Sequence, residues 1–273
     1  MRENVRRALR EDVGAGDVSA GLLPEDSNAA AVVVVREECV LCGRDWFEEV
    51  FRACDKRIVI RWRIDEGGTT TAGEAVCDME GPVRGLLSGE RSALNFLQLL
   101  SAVATQTRAM VRALEGSRAV LLDTRKTLPG LRQAQKYAVR VGGGSNHRMG
   151  LYDAILLKEN HIAAAGGVRQ ALQAASDNAG DLPVTVEVQD LDELAAALEA
   201  GAGWIMLDNF SLDQLSAAVV ERDRRGRDVI LEASGSVGLG NIAEVAATGV
   251  DCISVGALTK NVRACDFSMR LTA

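Results

Sequence analysis

The chain has 273 residues, 47% of them hydrophobic, and a formal net charge of −7. That acidic balance argues against a general nucleic-acid binder, which needs a basic face, and no apolar run approaches the ~20 residues that span a bilayer. The six cysteines include one C-x-x-C, Cys39 and Cys42, with no second ligand pair of the kind a zinc site needs, so they point to a reducing, cytoplasmic setting.

The opening MRENVRRALRED has no apolar stretch behind its basic residues and does not read as a secretory leader. Residues 2–11 fit a short helix, ended by Gly14 and Gly16. A strand (29–37), a helix (45–54) and an alternating strand (57–65) follow, then a turn at Gly67 and Gly68. Residues 74–83 read as extended and stopped by Gly81-Pro82, and Ser88 is the expected N-cap of a long helix. Strands and helices mix here without regular alternation. The expectation is an N-terminal α+β open-sandwich domain over 1–105, joined by the terminal segment 265–273.

The stretch 106–264 has a rhythm. Apolar strands at 119–126, 154–160, 183–188, 204–209, 229–235 and 252–258 alternate with helices at 168–176, 191–201, 212–222 and 241–249. Such repeats give parallel strands with right-handed crossovers, and an α/β barrel fits them best. Six strands are fewer than the usual eight, so the barrel is expected to be small or to hide a further strand near Gly142–Gly144.

Within an acidic chain, residues 121–162 carry seven arginines and lysines against Asp123, Asp153 and Glu159, and hold both histidines, His147 and His161. Clustered cations in a cleft concentrate anions. Arg132, Lys136 and Arg140 sit at helical spacing and read as a solvated face; Arg125, Lys126, Arg148 and Lys158 lie beside strands or a Gly-rich turn and do not.

Barrel chemistry collects at the C-terminal strand ends. The residues there are Thr124, Arg125 and Lys126; Lys158; Glu187; Asp208; Ser234 and Gly235; and Gly256. The expected layout has cations on one side of the mouth and two carboxylates on the other. Glu187 and Asp208 could hold Mg²⁺ on a phosphate substrate, bind sugar hydroxyls, or be ion-paired structural acids. Ser234, Gly235 and Gly256 stand where barrels bind phosphate through backbone N–H groups. Arg125 and Arg148 suit planar capture of carboxylates. His147, in the polar turn GGGSNHR, suits substrate contact, and His161 a supporting place behind it. The GSVGLG run at 235–240 has the wrong glycine order for a dinucleotide fingerprint.

The motifs DTRKTLPGLR (123–132), GGGSNHRMGLYDAILLKENH (142–161), IMLDNF (205–210), LEASG (231–235) and ISVGALTK (253–260) together resemble the quinolinate phosphoribosyltransferases, of the type II phosphoribosyltransferase family. REDVGAGDVSAGLLP (10–24), EGPVRGLLSGERSALNFLQ (80–98) and ACDFSMRL (264–271) extend the resemblance over nearly the whole chain. It implies phosphoribosyl transfer from 5-phosphoribosyl-1-pyrophosphate to quinolinate with loss of CO₂, giving nicotinate mononucleotide for NAD biosynthesis, with Mg²⁺. It implies a homodimer in which Arg91 reaches the neighbour's site. It assigns Lys126, Glu187 and Asp208 to catalysis, the last two also to the metal. Arg91, Thr124, Arg125, His147, Arg148, Lys158, Ser234, Gly235 and Gly256 fall to substrate binding. Ser19, Thr185, Gln189, Ser236 and Lys260 depart mildly from the family's usual residues. A paralogue of molybdenum utilisation and a non-catalytic barrel subunit are the alternatives. The unbroken set Arg91, Arg125, Arg148 and Lys158 favours quinolinate, and a nicotinate-using enzyme would not need the second carboxylate clamp.

Overall fold

A computed structural model describes residues 1–225 and 228–272. Ala273, the end of the expected terminal segment, lies outside the described residues. In chain order come α1 (Arg2–Asp12), β1 (Asn28–Val35), β2 (Cys39–Val40), α2 (Arg44–Cys54), β3 (Val59–Trp62), β4 (Thr69–Thr70), β5 (Ala75–Pro82) and α3 (Val83–Ala113). The alternating half then gives β6 (Val120–Leu122), α4 (Arg132–Gly142), β7 (Ile155–Leu157), α5 (Glu159–Ala165), α6 (Val168–Asn178), β8 (Val184–Val188), α7 (Leu191–Glu199), β9 (Trp204–Asp208) and α8 (Leu212–Arg224). It closes with β10 (Ile230–Ser234), α9 (Ile242–Ala247), β11 (Cys252–Ser254), α10 (Ala257–Lys260) and β12 (Phe267–Thr272).

The chain forms two compact units. The first comprises Met1–Arg108, Leu128–Gly143 and the residues from Thr259 onward. Its antiparallel sheet runs β12-β1-β5-β3, so a strand from residues 267–272 lies beside β1. Alternate β1 residues Ala31, Val33 and Val35 are buried, which is the period-2 pattern of a sheet with one covered face. The long helix α3 begins at Val83, five residues before the expected cap. Ser88 lies inside it and donates to Asp17 Oδ2 at 2.9 Å. Gly85 and Gly89 do not break this helix. A Cβ at Gly89 would sit 2.8 Å from the Phe51 ring, and one at Gly85 2.9 Å from Asp55 Cβ, so the two glycines set the close approach of α3 to the end of α2.

Helix α4, inside the range expected for the barrel, groups with the first unit. Arg108 donates to the carbonyls of Gly142 and Val141, Tyr137 Oη to Glu66, and Gln135 Nε2 to Thr259 O. Lys136 is fully buried, which overturns its reading as part of a solvated face; α4 buries five of its neighbours on the helix as well.

The second unit, Ala109–Thr127 and Gly144–Leu258, holds six parallel strands in the order β6-β11-β10-β9-β8-β7. The first strand pairs with the last, so the sheet curls as a barrel does. No ladder joins β6 to β7 among the described residues; an isolated bridge from Leu122 to Ser145 is all that remains of the suspected extra strand. The central strands β8, β9 and β10 are buried along most of their length, as parallel strands covered on both faces must be, while β7 at the end of the order is half-buried. Among the described residues, no helix is long and apolar enough to cross a membrane.

Candidate active site

A cleft of about 630 Å³ opens at the C-terminal ends of the barrel strands. It is lined by Thr124, Arg125, Lys126, His147, Arg148, Lys158, Glu187, Asp208, Ser234 and Gly235. Strand order sets the circuit. Arg125 and Lys126 follow β6, Ser234 and Gly235 end β10, Asp208 ends β9, Glu187 lies on β8 and Lys158 follows β7. His147 and Arg148 lie on the segment between β6 and β7.

Local sequence explains why the acids stop where they do. Three residues after Glu187, Asp190 caps α7 by accepting from Glu193 N at 2.8 Å, while the Glu193 carboxylate accepts from Gln189 N. Three residues after Asp208, Ser211 and Gln214 cap α8 in the same reciprocal way. Each carboxylate thus stands just before a stapled strand-to-helix turn.

Lys158 does not sit with the other cations. Its Nζ donates to Glu187 Oε2 at 2.5 Å, so the mouth is not split into a cationic and an anionic side as the sequence suggested. The reason is adjacency: β7 and β8 are hydrogen-bonded neighbours. Burial raises the Glu187 carboxyl above its ordinary pKa, Lys158 pulls it down, and the nearby Asp208 and Glu159 charges push it up again. His161 Nδ1 accepts from Lys158 N at 3.0 Å and supports the turn that carries the lysine.

At Arg148 the same cause shifts a cation the other way. Burial, then the positive charge of Arg125, holds its guanidinium below the usual arginine range, partly offset by Asp153. The segment that carries Arg148 is held in place by other bonds. Asp153 accepts from the N–H groups of Met149 and Gly150, buried Asp123 accepts from His147 N at 3.0 Å and Asn146 Nδ2 at 2.5 Å, and Arg148 Nη1 donates to Ala154 O at 3.2 Å.

The Ser234–Ser236 turn is conformationally costly. Asn209 (φ 56°) and Ser236 (φ 44°) are the positive-φ non-glycine residues among those described. Gly235 has φ 104°, and a Cβ there would overlap Asn209 Oδ1. The Asn209 N–H bonds Ser234 O at 2.9 Å, and its Nδ2 donates to Asp208 Oδ2 at 2.8 Å. Gly256 does not line the cleft directly. A Cβ on it would come within 2.8 Å of Lys126 Cδ, so the glycine lets that lysine cross. Arg91 is exposed on α3, in the first unit.

The geometry is that of an anion site with a carboxylate pair at one edge. The C-terminal domain model of quinolinate phosphoribosyl transferase matches residues 103–270, and the N-terminal domain model matches 17–101. The chain belongs to the quinolinate phosphoribosyl transferase family. A curated relative of that family from Mycobacterium leprae, "Nicotinate-nucleotide pyrophosphorylase [carboxylating]", is 44% identical over 99% of this chain and 96% of its own length. A solved structure of nicotinate-nucleotide pyrophosphorylase from Francisella tularensis has TM-score 0.94 and 44% identity, covering 100% of this chain and 97% of that one. Human nicotinic acid phosphoribosyltransferase, at 14% identity, TM-score 0.70 and coverage of 100% and 74%, shares the fold alone.

Sequence reasoning passed over two buried acids behind this cleft, Asp123 and Glu232, both fully buried. The signal was present: Glu232 lies inside an apolar parallel strand and Asp123 directly after one, and an acid so placed must have polar partners.

Proposed function

We propose that this chain transfers phosphoribosyl from 5-phosphoribosyl-1-pyrophosphate to quinolinate and releases pyrophosphate and CO₂, leaving nicotinate mononucleotide. The observation that carries the reading is one cleft in which Arg125 and Arg148 face the same space as the Lys158–Glu187 pair and Asp208. Quinolinate brings two carboxylates and the donor brings phosphates, and arginine forks suit the first while point charges suit the second.

Arg125 and Arg148 hold the carboxylates and so aim the ring nitrogen at ribose C1. That nitrogen forms the new bond as the C1–O bond breaks, and pyrophosphate leaves with the electron pair. Lys126 and Lys158 neutralise the departing charge, while Glu187 and Asp208 tolerate positive charge on the sugar. The C2–CO₂ bond then breaks. The pyridinium holds the electron pair left on C2, which takes a proton. The turn at Ser234 and Gly235 receives the 5′-phosphate through main-chain N–H groups, and Gly256, after β11, serves by leaving room for Lys126.

Glu187 and Asp208 would hold Mg²⁺ that comes with the donor. The donor set fits: Mg²⁺ takes one or two carboxylates plus phosphate oxygens and water, and the described residues offer no cluster of three His, Cys, Asp or Glu for a more fully protein-bound metal. The ion supplies charge neutralisation on the pyrophosphate. The proposal includes a homodimer in which Arg91 of one chain completes the site of the other, and a cytoplasmic setting, consistent with six cysteines in no disulfide.

The test is product formation followed by chromatography, with Mg²⁺, the pyrophosphate donor and either quinolinate or nicotinate. Product from quinolinate alone, stopped by chelation and restored by Mg²⁺, is expected. Product from neither, with folded protein, would sink the reading and favour the paralogue. For the shared site, Arg91→Ala and Arg148→Ala chains, each inactive, should regain roughly a quarter of parent activity when mixed, because about half of random dimers pair them and one of two sites is whole. Mixed dimers without activity would break that assignment.

A further inference from the structure

We propose that Glu232 is a positioning residue: it fixes the ring tautomer of His147 and, through that ring, the main chain of Arg148. This rests on the reading that Arg148 holds a substrate carboxylate. Glu232 is fully buried on β10 between Leu231 and Ala233, both buried. Its Oε2 accepts from Trp204 Nε1 at 2.8 Å and lies 3.4 Å from His147 Nε2, a close approach that does not meet hydrogen-bond geometry in this structure. Its Oε1 has no hydrogen-bond partner among the described residues. A carboxylate is a costly side chain to place in such an environment, and a hydrophobe of the same volume would pack there more cheaply. What the carboxylate offers that a hydrophobe cannot is an acceptor beside the histidine.

The other side of the same ring shows why that matters. His147 Nδ1 accepts the Arg148 N–H at 2.7 Å. A neutral imidazole has one donor and one acceptor nitrogen. With Nδ1 accepting, the proton belongs on Nε2, and Nε2 is the nitrogen turned toward Glu232. The opposite tautomer would set Nδ1–H against the Arg148 N–H, two donors face to face, and the arginine would have to move. The ring plane is held as well: it packs on Trp204, with centroids 5.9 Å apart at 52°. Trp204, Glu232, His147 and Arg148 thus lie in one line from strand to cleft, with hydrogen bonds at its two ends and the 3.4 Å Glu232–His147 approach between them. A guanidinium that must fork a planar carboxylate loses much of its value if displaced by an ångström.

The chain has two histidines, so the ring nitrogens can be read directly in ¹⁵N-histidine-labelled protein, with His161→Gln assigning the pair. His147 is expected to be neutral with its proton on Nε2. Glu232→Gln, which keeps an oxygen acceptor, should retain that tautomer and bind quinolinate near the parent level. Glu232→Met should mix the tautomers, weaken quinolinate binding by calorimetry about 10-fold or more, and raise KM for quinolinate while leaving KM for the pyrophosphate donor within about twofold. An Nδ1–H tautomer or an imidazolium in the parent protein would overturn the proposal. So would an unchanged His147 spectrum in a folded Glu232→Met. If circular dichroism shows that Glu232→Met does not fold, the parent and Glu232→Gln spectra decide. The tautomer is read on unliganded protein, so failure of the product assay would remove the proposed reaction without touching this result.

Discussion

At the Arg125–Arg148 flank of the cleft, like charges are gathered, and the Arg148 segment is held by main-chain groups bonded to Asp123 and Asp153 and by the Ala154 carbonyl. At the Lys158–Glu187 flank, opposite charges hold each other. The first arrangement is set before any ligand arrives, because none of those bonds involves the guanidinium's outward face being satisfied by an acid. The second must exchange: a phosphate that draws Lys158 also loosens its grip on Glu187. The contrast teaches that one flank is built to bind and the other to respond, and substitutions should separate along the same line.

Asp208→Asn gives the largest expected effect. It keeps the hydrogen-bonding shape beside Asn209 but removes the charge, so kcat should fall about 10²–10³-fold with quinolinate binding little changed by calorimetry; lost quinolinate binding would move Asp208 to the other flank. Arg148→Lys comes next. A point charge cannot reproduce the fork, and KM for quinolinate should rise about 10–100-fold, with kcat less affected. A mainly kcat defect would show that the first flank also responds during the reaction.

Gly235→Ala tests the strained turn. A Cβ there meets Asn209 in a backbone conformation glycine favours, so stability should drop by about 1–3 kcal/mol, read as a lower thermal midpoint, with weaker donor binding. An unchanged midpoint would mean the turn can relax. The smallest effect concerns pH. Burial raises the Glu187 carboxyl and Lys158 lowers it. Lys158→Met leaves burial and the Asp208 and Glu159 charges unopposed, so that, beyond the lower rate from lost leaving-group neutralisation, the acid limb of the kcat profile should move to higher pH. A limb that moves down would mean another group controls it.

Much of this site was legible as strand ends, because parallel strands covered on both faces announce themselves as apolar runs and the chemistry follows them. What stayed hidden was pairing. Lys158 and Glu187 are 29 residues apart, and only the neighbouring of β7 and β8 joins them. Gly85 and Gly89 look like helix breakers, yet they are packing contacts within α3, and their meaning lies in Phe51 and Asp55 on another element. Lys136 was misread for a related cause: helical spacing tells which residues share a face, not whether that face meets solvent.

The pairing of β12 with β1 has a consequence for synthesis. Val35 faces Phe267 across the ladder, so an emerging chain leaves that edge of β1 unpaired for roughly 230 residues. At about 5–20 residues per second the wait exceeds ten seconds. An exposed edge strand is a template for wrong partners over that interval. The parallel unit, whose strands end at Ser254, has all its β-structure available sooner. The first unit to be translated is thus the last that can be completed, and conditions that slow elongation should tax it more than the barrel.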